Sequence, residues 1–257
     1  MRGRQIITIA RFTLLEARRT RLFYALIGVM ALILGTGYFA QQLAITESAR
    51  LQTVFSAAAL RFGAVFLLSL HVLTSVMREL NDKGLELTLS FDLRRSHYIA
   101  GRLLGFLSIA VVMAAAASAP FFVLAPPAAA LQWGVSLGLE LAIMATLSLF
   151  CIVTFSQLMP AASFVLGFYL LARALSAIRL MSDTPLTGSG TVSHQLASTL
   201  VDLLTLILPS LDRYTQSTWL TDGVATGDPV AALAAQALIY ILLLAAAAMF
   251  DFYRRNL

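Results

Sequence analysis

The stretch LASTLVDLLTLILP, residues 196–209, is apolar over fourteen positions, carries Asp202 and stops at Pro209. Fourteen helical residues rise only about 21 Å, short of the ~30 Å hydrocarbon core that takes about twenty. Six other apolar runs are long enough to cross it, at roughly 22–41, 54–77, 102–125, 134–158, 161–179 and 230–250. The short run therefore decides between six crossings and seven. Its length, its carboxylate and its proline place it outside the membrane proper, as a short helix or re-entrant element within a long segment, 180–229. A seventh crossing would also export the basic terminus Tyr253-Arg254-Arg255.

Composition supports membrane insertion. Of 257 residues, 59% are hydrophobic and 12% charged, with a mean hydropathy of +0.84; ordinary soluble domains run at about 45–50% apolar and about 25% charged. Unbroken runs of this length fit helices and not barrel strands, which alternate over about ten residues. The expected fold is an all-α integral membrane protein with six transmembrane helices, an N-terminal interfacial helix and both termini cytoplasmic. Pro126-Pro127, Pro160 and Pro229 mark breaks between spans, and Asp228-Pro229 forms a good helix start. Twenty-one residues precede the first run, which is longer than the roughly 7–15 residues of a signal-peptide core, so that run is expected to be an uncleaved span.

Orientation follows from the basic residues, since cytoplasmic flanks carry the excess of Arg and Lys. With the N-terminus inside, the segments up to Arg21, from Arg78 to Arg102 and after the last span hold thirteen of them. The outer segments hold three, Arg50, Arg179 and Arg213, and Arg61 and Arg173 fall within spans, which accounts for all eighteen. The net charge of +5 is thereby explained by topology and not by nucleic-acid binding, for which there is no basic domain. Trp133 and Trp219 are expected at the outer membrane interface.

Residues 5–19 place Ile6, Ile9, Ala10, Leu14 and Ala17 on one helical arc and Arg4, Arg11 and Arg18 on another. This spacing predicts an amphipathic helix on the cytoplasmic membrane surface within 1–21; a basic lead-in to the first span is the alternative.

Nine charged residues and His97 crowd into RELNDKGLELTLSFDLRRSHYIAGR, residues 78–102, between the second and third spans. Glu79, Asp82 and Glu86 lie three and four apart and share one helical side, while Leu80, Leu85, Leu87 and Leu89 can face protein or membrane. A short helix parallel to the membrane and able to dock another protein is one reading, and a solvated loop that only obeys the positive-inside rule is the other.

This loop resembles that of the membrane subunits of type 2 ATP-binding-cassette (ABC-2) exporters, a family of small six-span permeases. Glu79, Gly84, Glu86, Leu87, Leu89, Arg94, Arg95, Tyr98, Gly101 and Arg102 follow the family's pattern in order and near its spacing. TLLEARRTRLFY at 13–24 is similar to the family's basic interfacial helix, and LPSLDRYTQSTWL at 208–220 to an element such permeases carry outside before the last span. Leu85 stands where Thr is usual and Phe91-Asp92 where Pro is common. These departures bear on the substrate subfamily.

The resemblance implies a half-transporter in the bacterial cytoplasmic (inner) membrane. Two copies form the export pathway, with the first, second and fifth spans at the dimer interface. Two separate cytoplasmic ATPase subunits, carrying ATP and magnesium, dock on 78–101 through Glu79, Asp82, Gly84, Glu86, Arg94 and Arg95. Membrane lipids and an extracytoplasmic accessory protein are further implied partners. The chain itself is expected to bind no cofactor or metal and to be no enzyme. A Walker phosphate loop needs a Lys preceded by Gly and followed by Ser or Thr, and the only Lys, Lys83, sits between Asp82 and Gly84. A membrane scaffold or anchor that recruits a cytoplasmic partner through 78–101 without moving a substrate is the alternative from another class. The single cysteine, Cys151, allows no intramolecular disulfide and is expected to serve as a small buried hydrophobe.

Within the spans, Arg61, His71, Glu140 and Arg173 are ionisable, and each is costly in hydrocarbon. Counted from the expected edges at about 1.5 Å per residue, both Arg and Glu140 fall in the outer third. Glu140 is expected to neutralise Arg61 or Arg173 near the outer mouth of the pathway, with snorkelling side chains and a structural pair as the alternative. His71 lies nearer the inside, where a packing role is expected.

Overall fold

The computed structural model describes residues 2–43, 48–81, 95–183, 199, 203–204, 208–214, 216, 218–222 and 229–254. Among them the long helices are α1 (Arg2–Arg19), α2 (Leu22–Leu43), α3 (Ser48–Asn81) and α4 (Arg95–Ser118). The short α5 (Phe121–Leu124) follows, then α6 (Pro127–Phe155) and α7 (Leu158–Asp183). Two further short helices, α8 (Leu211–Tyr214) and α9 (Thr218–Asp222), precede α10 (Pro229–Arg254). Among the described residues, six candidate spans are long and apolar enough to cross a membrane: Leu22–Phe39, Arg50–Asn81, Ser96–Leu124, Pro127–Phe155, Leu158–Leu175 and Val230–Arg254. The chain is a multi-pass helical membrane protein.

α6 is the centre of the bundle. It packs against α3, α4, α7 and α10 and against all three short helices, and 72% of its apolar stretch is buried within the protein, against 17% for α10 and 22% for α2. Its sequence explains the position: Ala, Ser, Gly and Thr alternate with Leu and Ile all round it, so neighbouring backbones can approach on every side. Cys151 lies in this buried helix as a free thiol.

The helices meet at a shared end. The start of α2, the end of α3 and the start of α4 gather around α1, as the Thr20–His71 contact and the Arg102 ion pairs record. The ends of α6 and α10 join them through Thr154–Asp251 and a Tyr98–Phe252 ring stack at 5.8 Å. α1 and the C-terminal end of α10 therefore lie at the same end of the bundle, as an even number of crossings requires. α8 and α9 lie toward the opposite end, where the Tyr214 hydroxyl donates to the Leu233 carbonyl at 2.7 Å near the start of α10.

α1 packs chiefly on α4, and the sequence shows why the two backbones come so close. Gly101 and Gly105 lie one turn apart on the face that meets α1. A Cβ at Gly101 would stand 2.8 Å from Cβ of Ile9, and one at Gly105 would stand 2.6 Å from Cβ of Thr13. This is small-xxx-small packing applied to a helix crossing a span. Thr13 and Ala17 are fully buried there, whereas Arg4, Arg11 and Arg18 are exposed. Arg21, at φ 58°, turns the chain from α1 into α2.

Several edges differ from the sequence expectation. α6 begins at Pro127, seven residues before the expected edge at 134, because Pro fits a first helical turn and the following Ala-Ala-Ala continues it. α7 likewise starts at Leu158, with Pro160 inside its first turn, after Ser156 ends α6 in a left-handed conformation at φ 56°. α10 begins at Pro229 as expected, and Asp228 is outside the described residues. Most of 196–209 and all of 82–94 are outside them too.

Candidate functional site

Two buried polar clusters stand at different depths. The first lies at the α1 end, where α1, α3 and α4 converge. Arg102, 2% exposed, reaches from α4 between two carboxylates. Its Nη1 donates to Glu16 on α1 at 2.9 Å and to the Thr13 hydroxyl at 3.2 Å. Its Nε donates to Glu79 Oε2, at the end of α3, at 2.9 Å, and Nη2 donates to the same oxygen. Tyr98, one turn before Arg102, donates its hydroxyl to Glu79 at 2.7 Å. Ser75, one turn before Glu79, donates to Glu16 at 2.7 Å. A single guanidinium thus ties three helices by its planar fork, a geometry the point charge of a lysine does not reproduce.

Burial raises the proton affinity of Glu16, but the hydrogen bond and charge of Arg102 and the hydrogen bond from Ser75 outweigh it. The carboxyl is held below its ordinary value of 4.5. Glu16 therefore adds stability that is complete above the ordinary carboxyl range and is lost as pH falls through the lower folded value.

The second cluster lies inside the bundle, toward the end that holds α8 and α9. Arg61 Nη1 on α3 pairs with Glu140 Oε2 on α6 at 2.7 Å, and both side chains are sealed from the surface, at 1% and 0% exposure. Arg61 Nη2 donates to the Ser136 hydroxyl at 3.0 Å and points at the Trp133 carbonyl at 3.5 Å. The guanidinium lies over the Trp133 ring at 4.8 Å, and Phe121 of α5 packs on the same ring at 4.6 Å. Above them, the Ser136 hydroxyl also lies 3.1 Å from the Tyr214 carbonyl of α8. Leu211, Tyr214, Trp219 and Leu220 are buried, so α8 and α9 close the bundle over the ion pair. Arg61 Nε, Glu140 Oε1 and Trp133 Nε1 are buried without a hydrogen-bond partner among the described residues. That leaves capacity for water or another polar group.

Glu140 therefore pairs with Arg61 and not with Arg173. Arg173 donates instead to the Tyr169 hydroxyl on its own helix at 2.7 Å. Because α6 starts at Pro127, Glu140 sits about 20 Å along its helix rather than about 10 Å, near the middle of α6 and not in its outer third. Trp133 and Trp219 are 0% and 4% exposed, so both indole rings are packed inside the protein, Trp133 with a cation–π contact to Arg61. His71 packs edge-on against Phe106 at 6.4 Å and faces Thr20 at 3.5 Å.

Of the residues expected to dock a partner, Glu79 is turned inward onto Arg102 and Tyr98, at the foot of the loop. Arg95 opens α4, and Asp82, Gly84, Glu86 and Arg94 lie outside the described residues. Sequence reasoning placed Tyr98 and Arg102 in the family pattern without a structural role and left Glu16 and Ser136 unassigned. Glu16 carried a signal, being the only acidic residue in the first 46 positions of an otherwise basic segment. Among the described residues no group of three or more His, Cys, Asp or Glu side chains is arranged to hold a metal ion. No protein-family model and no curated protein matches the sequence.

Removing one member of the buried pair strands the other, at a cost on the order of 3–5 kcal/mol. Arg61→Met and Glu140→Leu are each expected to lower folded yield and thermal midpoint in detergent, and the double variant to recover most of both. A double variant as unstable as the worse single one would refute the pairing. For Glu16, the wild-type stability advantage over Glu16→Gln is expected at about pH 7 and to vanish toward about pH 3. An advantage that does not change with pH would show that the carboxylate is not engaged.

Proposed function

We propose that this chain is the membrane subunit of an ABC-2 type exporter, working as a homodimer driven by separate ATPase subunits that dock on 78–101. The observation that carries the reading is the Arg102 cluster. It joins the two feet of that loop, Glu79 on one side and Tyr98 and Arg102 on the other, to the amphipathic helix α1. A push on the loop then moves the end of α3, the start of α4 and α1 together.

From there α3 supplies the transmission. It is one unbroken helix of 34 residues, and the eighteen residues from Glu79 back to Arg61 span about 27 Å. The same rod that anchors the loop holds the charge paired to Glu140 beneath the 208–222 element. In this reading α1 lies at the cytoplasmic membrane surface, both termini are cytoplasmic, and 208–222 is the external closure of the pathway. Exchanging the partners around Arg61 and Glu140 is what opening would require. The basic residues of the N-terminus and of 78–102 support the orientation through the positive-inside rule. The resemblance of 78–102, 13–24 and 208–220 to the family supports the assignment.

The test is purification of the full-length chain from its native membranes, followed by reconstitution with any phosphate-loop ATPase that accompanies it. Asp82→Arg with Glu86→Arg is expected to release the ATPase. Arg102→Met is expected to keep it bound while transport-coupled ATP hydrolysis falls about ten-fold, the scale of a lost charged hydrogen-bond network. A bound partner whose ATP hydrolysis never responds to the membrane subunit would overturn the reading in favour of a scaffold.

A further inference from the structure

A cavity of about 830 Å³ opens between α1 and the end of α3, walled by Phe12, Leu15, Arg18, Arg19 and Arg78 with Glu16 beside them. It shares Thr20 and Arg78 with a second cavity of about 230 Å³, which runs on between α2 and α3 along Leu22, Ala25, Leu67, Leu70 and His71. The two together have one basic arm and one apolar arm.

The charge of the basic arm is unspent. Arg18, Arg19 and Arg78 are exposed, and none of the three forms an ion pair with another described residue. Glu16, the one carboxylate in the wall, is already committed to Arg102 and Ser75. Phe12 and Leu15 remain 65% and 53% exposed beside these cations, a pairing of apolar and basic groups that suits the headgroup boundary of a bilayer. The apolar arm leads from that boundary along Leu67 and Leu70 toward the membrane interior. His71, 7% exposed, lines this arm, and its Nε2 has no partner among the described residues.

We propose that the joined cavities bind an anionic phospholipid from the leaflet at the α1 end, with its phosphate among Arg18, Arg19 and Arg78 and an acyl chain along Leu67 and Leu70. A zwitterionic lipid would fill the apolar arm equally well but leave the three cations unmatched. A soluble phosphate would match the cations and leave the apolar arm empty. The site rests on the membrane insertion of the six helices and not on the exporter reading.

The delipidated full-length protein is titrated with phosphatidylglycerol, phosphatidylcholine and glycerol phosphate, and bound species are counted by native mass spectrometry. Three basic contacts at about five-fold each predict a preference for phosphatidylglycerol over phosphatidylcholine on the order of 100-fold. Replacing Arg18, Arg19 and Arg78 together by Gln should reduce that preference to a few-fold. Replacing Arg4, Arg11 and Arg254 by Gln removes equal charge outside the cavity and should leave it intact. Leu70→Trp, which fills the apolar arm without touching charge, should weaken phosphatidylglycerol binding. Equal loss in both triple variants, binding of glycerol phosphate as tight as that of the lipid, or indifference to Leu70→Trp would each overturn the proposal.

Discussion

A guanidinium that is 2% exposed at the edge of an apolar bundle has to be matched by acceptors, and Arg102 is matched from two neighbouring helices at once. Glu16 and the Thr13 hydroxyl come from α1 and Glu79 from α3, while Tyr98, on the same helix as Arg102, donates its hydroxyl to Glu79. None of these groups can withdraw without leaving a buried charge uncompensated, which makes the junction stiff. Gly101 and Gly105 make the contact possible: without their bare backbones, α1 would stand too far from α4 for Glu16 to reach the guanidinium. Packing thus sets the distance and the ion pairs set the register.

One continuous helix, α3 from Ser48 to Asn81, carries both polar clusters. It carries Glu79 near one end and Arg61 toward the other, each held by a partner on a different helix. α6 receives the second of these through Glu140 and Ser136, and passes the contact on to α8 through the Tyr214 carbonyl. The two polar clusters are therefore joined by helices in close contact, as the fully buried Leu60, Ala64, Leu68 and Val72 along one face of α3 show.

Much of this was legible in the amino-acid sequence, and the rest was hidden for identifiable reasons. Six long apolar runs announce six helices, because length and hydropathy are local properties. Glu140 could be narrowed to two arginine partners by depth, but the choice of Arg61 depends on which helices are neighbours, and that is tertiary. The pairing of α1 with α4 left a trace in the Gly101–Gly105 spacing, yet a glycine pair names no partner. Arg102 looked like one more inner-flank arginine because the positive-inside rule explains every such residue equally well. The contacts of Trp133 were hidden for a similar reason: an average preference for membrane interfaces names neither the cation nor the ring packed against it.

The central claim is that Arg102 binds α1, the end of α3 and the start of α4 into a single unit. Amide hydrogen exchange of the full-length protein in lipid nanodiscs, wild type against Arg102→Met, addresses it directly. The account predicts that the amides of α1, of residues 76–81 and of residues 95–99 lose protection together, while those around Arg61 and Glu140 keep theirs. Loss confined to the turn of helix around residue 102, with α1 as protected as before, would contradict it.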